Sequence, residues 1–265
     1  MLSASEPRDE GLKQCKMAPT NHSALLCFLE QDSLFLEQAV KYPLRTLYTE
    51  FASGYIKGES LIDVSIGPLI FPLFPVFEPF REIIVLKFND DCIKELDKWR
   101  TSDPGACDWS HAVEFMAELE GNSAVWTHKE EELKRRIKHL LKCDVSAENL
   151  VDERTVPKAD CLLTAWILET ISQDETSYCN NFKKMSALLK LGGHLVLIGD
   201  IQGSFFIVGG HKYHILPIGE EFLRKTLEDE GYSIVFYSAV GRNAEKQTTN
   251  YEKIVCIIAR KVRER

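Results

Sequence analysis

The sequence predicts an α/β fold built on one open, mostly parallel sheet, and three observations carry that expectation. Short β-rich runs alternate with helical patterns between about residues 60 and 198, and such alternation implies parallel strands joined by crossover helices. The last two β-rich runs, Ser233 to Val240 and Lys253 to Arg260, have no long helix between them and should pair antiparallel. With 45% apolar and 27% charged residues over 265 positions, the chain can bury a sizeable core.

Residues 1–33 mix charge, Ser, Pro and Asn with little periodicity and read as a poorly ordered tail, leaving 34–265 as a single domain. From Leu34, apolar residues at Leu36, Val40, Leu44, Leu47 and Phe51 recur at helical spacing, so one or two helices should precede Gly54. Strands are expected at Ser60 to Val64, Glu82 to Phe88, Ala112 to Met116, Asp160 to Ala165 and His194 to Ile198. Helices are expected at Asp91 to Arg100, Lys129 to Leu141 and Thr176 to Leu189, the last stopping before Gly192 and Gly193. These five strands and the closing pair make seven.

Charge and cysteine usage exclude several function classes. A net charge of −8, with no basic run longer than Lys134 to Arg136, argues against nucleic acid as a partner. Eight cysteines without a C-x-x-C pair indicate neither a zinc site nor a disulfide framework, which suits a reducing, cytoplasmic compartment. The apolar stretch Ala24 to Leu29 is too short for a signal-peptide core, and no later run approaches about 18 apolar residues, so no membrane partner is expected. His211 and His214, with no evident third ligand, read as a hairpin pair and not as a metal site. No metal is expected, and the chain reads as a monomer.

The segment Leu61 to Pro68, reading Leu-Ile-Asp-Val-Ser-Ile-Gly-Pro, resembles the first cofactor motif of the nicotinamide, phenylethanolamine and indolethylamine N-methyltransferase family, which reads Asp-Ile-Gly-Ser-Gly-Pro. Glu118 to Ser123, Lys142 to Val145, Ala159 to Cys161 and Leu191 to Leu195 follow in that family's order and near its spacing, so the resemblance covers roughly residues 34 to 265. It implies a Rossmann-like class I methyltransferase fold. It also implies transfer of a methyl group from S-adenosylmethionine to the nitrogen of a small amine or pyridine. Such an in-line displacement needs positioning more than acid or base chemistry.

On that resemblance the cofactor residues would be Asp63, Ser65, Gly67, Phe71, Lys87, Asp144, Val145 and Ala165. Several depart from the family pattern. Ser65 and Ile66 replace a glycine and a serine, adding bulk where the backbone should approach the ligand. Lys87 stands at the end of the second strand, where the family has an acid that accepts from both ribose hydroxyls; an ammonium is donor-only. Losing charge-assisted bonds of about 1.5 to 3 kcal/mol each weakens adenosine binding roughly ten-fold to several hundred-fold. Asp90 or Asp91, a few residues on, offers partial compensation. Phe71 lacks the family tyrosine's hydroxyl, Cys92 replaces an asparagine, and the Tyr-rich lid that should follow Pro7-Arg8-Asp9 is missing. Asp144 and Val145 match the adenine-contacting pair, although Asp144 also reads as a plain turn residue.

On the acceptor side the resemblance implies Glu169, Asp200, Ser204 and Phe206, with Phe205 beside them as a second aromatic wall. A carboxylate at Glu169 suits a cationic or amide-bearing acceptor. Two functions therefore stand side by side: an N-methyltransferase of small amines with degraded cofactor motifs, and an inactive relative that serves as a binding or regulatory protein. A third, in which Lys87 serves a phosphorylated nucleotide, rests on that residue alone.

Overall fold

The computed structural model describes residues 22–30, 32–152, 154–243 and 245–265. A seven-stranded sheet runs in the order β3 (Ile137–Lys142), β2 (Phe80–Lys87), β1 (Gly58–Ser65), β4 (Ala159–Ala165), β5 (Leu189–Ile201), β9 (Lys253–Lys261), β8 (Tyr232–Gly241). Pairs from β3 to β5 are parallel; β9 runs antiparallel to both β5 and β8. The chain first winds outward from β1 to β3, then returns to place β4 on the other side of β1. Ligands in open α/β sheets bind beyond the strand carboxyl ends at such a reversal. Here those ends are Ser65, Lys87 and Ala165.

Each face of the sheet buries its own core, because β1 sends Leu61 to one side and Ile62 and Val64 to the other. The first core is covered by α1 (His22–Leu29), α2 (Ser33–Leu36), a π-helical turn (Glu37–Lys41), α3 (Tyr42–Phe51), α4 (Asp90–Arg100), α5 (Ser110–Glu120) and α6 (Ser123–Arg136). The second is covered by α7 (Leu168–Ile171), α8 (Glu175–Ser186) and α9 (Glu220–Asp229). A short hairpin of β6 (Phe205–Val208) and β7 (His211–His214) forms a separate sheet. Among the described residues no helix is long and apolar enough to cross a membrane.

Three expectations differ from the fold. Ala112 to Met116 is not a strand but part of α5: Ala112, Phe115 and Met116 are buried at i, i+3 and i+4, and Gly121 ends the helix at φ +67°. The helix expected over Lys129 to Leu141 stops at Arg136, and the chain passes straight into β3 at Ile137, whose ψ is 97°. No Gly or Pro marks that junction, and β3 is a half-exposed edge strand without an apolar run. The strand lost at α5 is thus replaced by β3. The third difference is at the amino end, where the expected tail reached residue 33. Residues 1–21, with the Pro7-Arg8-Asp9 triplet, lie outside the described residues. His22–Leu29 is helical, and Leu25 and Leu29 sit in the core one turn apart.

Candidate functional site

The end of β1 lies between those of β2 and β4, with Asp63 opposite Val85 and Ser65 opposite Ala165. Lys87, the last residue of β2, turns its ammonium back over β1. Its Nζ donates to Asp63 Oδ2 at 3.2 Å, to the Ser65 carbonyl at 3.0 Å and to the Leu69 carbonyl at 3.4 Å. Ser65 Oγ donates to the other carboxylate oxygen, Oδ1 of Asp63. Lys87 and Asp63 are each only 1% exposed. Both oxygens of the acid and all three donors of the ammonium are engaged, which is how a buried ion pair meets its desolvation cost.

The loop beyond β1 turns at Gly67, whose φ of +54° places it in the left-handed region that favours glycine. The cleft beside it is lined by Ser65, Ile66, Gly67, Lys87, Phe88, Asn89, Cys92, Ile167 and Thr170. Its empty volume is about 290 Å³, including space open to solvent. Burial pushes the Cys92 thiol up to about 11. Phe71 and Ala165 are fully buried and line none of the described cavities. Phe71 packs against Trp109 and Trp166, and the Ala165 carbonyl accepts from the Ile66 amide at 2.9 Å. Asp144 and Val145 also lie outside the cleft; the exposed Asp144 carboxylate accepts from the amide and hydroxyl of Ser146 at 2.8 and 2.6 Å. Asp90 and Asp91 face solvent, pair with Lys142 and Lys94, and are not among the residues lining the cleft.

A second, larger cavity of about 670 Å³, including space open to solvent, opens on the other side of Gly67. Leu25, Phe28 and Leu29 of α1 cover it together with Phe206 and Val208 of the hairpin, while Ile66, Leu69, Trp166, Ile215, Tyr251 and Ile254 make its walls. Glu169, Thr170, Asp200 and Thr249 are its polar residues, and among the lining residues none is Lys, Arg or His. Phe206 stacks on Tyr213 at 4.9 Å and leans on Phe28 at 6.0 Å. Phe205 points away and packs under Lys212, whose Nζ is 4.1 Å from the ring centre, because successive strand residues face opposite sides. Ser204 is likewise outside, with its hydroxyl accepting from Asn250 Nδ2 at 2.9 Å.

The two acids reach the cavity from neighbouring strand ends. Trp166, just past β4, adopts a left-handed φ of +51°, a strained state for a bulky residue. Its indole N–H donates to Asp200 Oδ1 at 2.9 Å. Glu169 on α7 is 3% exposed, and its Oε1 accepts from the Asp200 amide at 3.1 Å. Gly199 permits this approach, since a Cβ there would lie 3.2 Å from Glu169 Oε1. Burial, reinforced by the Asp200 charge, pushes the Glu169 carboxyl up to about 8; burial pushes Asp200 up to about 7. At the base of the cover, Gln38 in the π-helical turn accepts from Tyr251 OH at 2.9 Å and from the Asn243 amide at 2.8 Å, and it donates to the Gly241 carbonyl.

Of the residues expected from sequence, Glu169, Asp200, Phe206 and Gly67 meet at this cavity, and Ser65, Gly67 and Lys87 at the smaller cleft. The residues sequence reasoning missed are Leu25, Phe28 and Leu29, together with Trp166 and Tyr251. Only the first set left a signal, the spacing of Leu25 and Leu29 one helical turn apart.

Comparison with known proteins supports both the fold and the kinship. The sequence model of the NNMT/PNMT/TEMT family matches residues 27–262. Human nicotinamide N-methyltransferase is 33% identical over 261 residues, 98% of this chain and 94% of that one. Mouse indolethylamine N-methyltransferase is 33% identical over 85% of each chain. Among solved structures, magnesium protoporphyrin IX methyltransferase from Synechocystis PCC 6803, with S-adenosylmethionine bound, aligns at a TM-score of 0.55. It is 10% identical, over 98% of this chain and 100% of that one. The Burkholderia thailandensis 1,6-didemethyltoxoflavin-N1-methyltransferase with S-adenosylhomocysteine aligns at 0.52, with 13% identity over 99% and 93%. At such identities the structures show the shared Rossmann-like methyltransferase fold alone.

Proposed function

This chain belongs to the NNMT/PNMT/TEMT family, and on that premise we propose that it binds a small planar amine or pyridine in the Glu169–Asp200 cavity. Its methyl-donor half is held closed by Lys87. The protein then acts as a ligand-binding member of a methyltransferase family, with S-adenosylmethionine bound weakly. The Lys87–Asp63 pair is the observation that carries this reading.

S-adenosylmethionine does not fit the donor half as it stands. Its methionine part carries an ammonium and would compete with Lys87 for Asp63 and the Ser65 carbonyl. Its ribose hydroxyls need an acceptor at the end of β2, where Lys87 offers only donors. Its sulfonium would add positive charge beside a buried ammonium. If the cofactor took over Asp63, Lys87 would become the stranded charge. Stranding one member of a buried pair costs about 3 to 5 kcal/mol, or two to nearly four orders of magnitude in affinity.

The acceptor side, by contrast, keeps the parts a ligand needs. A mostly apolar cavity with a few convergent polar groups has the lining of a small-molecule site. Trp166, Phe206 and Tyr251 offer flat walls, and Glu169 and Asp200 offer acceptors for N–H groups. The test is a thermal-shift and calorimetric panel of nicotinamide, 2-phenylethylamine and tryptamine. At least one is expected to bind saturably, about ten-fold more weakly to Glu169→Gln; a panel without binders would reject the reading.

A second reading, residual methyl transfer, is favoured by Glu169 lying in the cavity next to Gly67, which borders both halves. If labelled methyl does reach an amine, Glu169→Gln should lower kcat/KM about ten-fold or more. Unchanged turnover in that variant, with Asp200→Asn inactive, would assign the role to Asp200.

A further inference from the structure

Two carboxyl groups border the larger cavity without a cationic partner among its lining residues. Glu169 Oε1 sits on the backbone amide of Asp200, so the two acids share one small region of the wall. Buried carboxylates that lack a counter-charge keep protons that exposed ones would release. Resting on the reading of this cavity as a ligand site, we propose that Glu169 and Asp200 act together as a proton-exchange site, in which an entering ammonium displaces a proton held by the pair. The carboxylic O–H breaks and the proton leaves to solvent. The carboxylate so formed pairs with the ligand's ammonium, and no covalent bond to the ligand forms.

The surrounding groups leave these acids in control. Burial and the Asp200 charge push Glu169 up to about 8, and Asp200 rises to about 7 against the lowering effect of the Trp166 indole. Tyr178 of α8 faces Glu169, and Tyr251, ahead of β9, faces Asp200. Burial raises both hydroxyls above their ordinary value, so both stay neutral through this range. The cover from α1 and the hairpin contributes Leu25, Phe28, Leu29, Phe206 and Val208, none of which titrates. The site therefore prefers a cation increasingly as pH rises, and a neutral ligand of the same shape gains nothing from the change.

The experiment is calorimetric titration of the whole chain with 2-phenylethylamine and with neutral 2-phenylethanol at pH 7, each in phosphate and in Tris, whose ionisation enthalpies differ. Release of about one proton per amine is expected, with none for the alcohol, and amine affinity about ten-fold tighter at pH 8.5 than at pH 6.5. Glu169→Gln should cut the release by at least half, and an infrared band of protonated carboxylic acid should fade as amine is added. Saturable amine binding with equal heats in both buffers overturns the proposal alone, as does undiminished release in Glu169→Gln. No binding by 2-phenylethylamine overturns the proposal, and the ligand-site reading falls with it when nicotinamide and tryptamine also fail to bind.

Discussion

Lys87 spends its donors on Asp63 and on the Ser65 and Leu69 carbonyls, all out of water, so either partner alone would be a stranded charge. Lys87→Met should therefore destabilise the fold by about 3 to 5 kcal/mol in urea unfolding, while Lys87→Met with Asp63→Asn should recover at least half of that loss. Single-variant losses that simply add would show that the pair is not coupled. Glu169 makes a different prediction, because its carboxyl is raised. The folded chain holds a proton there that the unfolded chain has lost, so stability falls as pH rises towards about 8. Burial lowers the half-buried histidines His111 and His194, whose contribution to stability runs the opposite way, so comparison with Glu169→Gln from about pH 6.5 to 8.5 isolates the acid. Wild type should lose melting temperature across that range relative to Glu169→Gln, and parallel curves would count against a buried, protonated Glu169. That Lys87 offers only donors was legible from its chemistry alone. Its pairing was not, since Asp63 is 24 residues away and meets it only through the register of β1 against β2.

At the scale of elements, strands with apolar runs were legible, the edge strand β8 among them, whereas β3 and α5 were not. β1, β2, β4, β5 and β9 all carry buried runs, and β8, mostly half-buried, still carries the β-rich run Ile234 to Tyr237. β3 carries none, and α5 has a mixed pattern that a short window reads as strand. The cover of the larger cavity was hidden for a related reason: α1 has eight residues and gains its order by docking Leu25 and Leu29, not from helix propensity. The hairpin offers a direct check of which face closes the cavity. Phe206→Ala should weaken 2-phenylethylamine binding about ten-fold through lost ring contact, and Phe205→Ala should leave it within about two-fold. The reverse order would mean that the hairpin register differs from Phe206 opposite Tyr213.

For the molecule as a whole, Gly67 borders both the cleft beside Lys87, proposed as the donor half, and the larger cavity with its two acids, proposed as the acceptor half. The fold is shared with S-adenosylmethionine-dependent enzymes, and fold alone does not decide what the site does. The decision rests on whether Lys87 yields to the cofactor. The most direct measurement is calorimetric titration of S-adenosylmethionine and S-adenosylhomocysteine into wild type and into the Lys87→Asp, Ser65→Gly, Ile66→Ser triple variant. The account predicts a wild-type Kd no tighter than roughly 1 mM and binding at least ten-fold tighter in the triple variant, where ribose acceptors and close backbone approach return. Low-micromolar binding by wild type, unaffected by the substitutions, would show that the Lys87–Asp63 pair does not close the donor half.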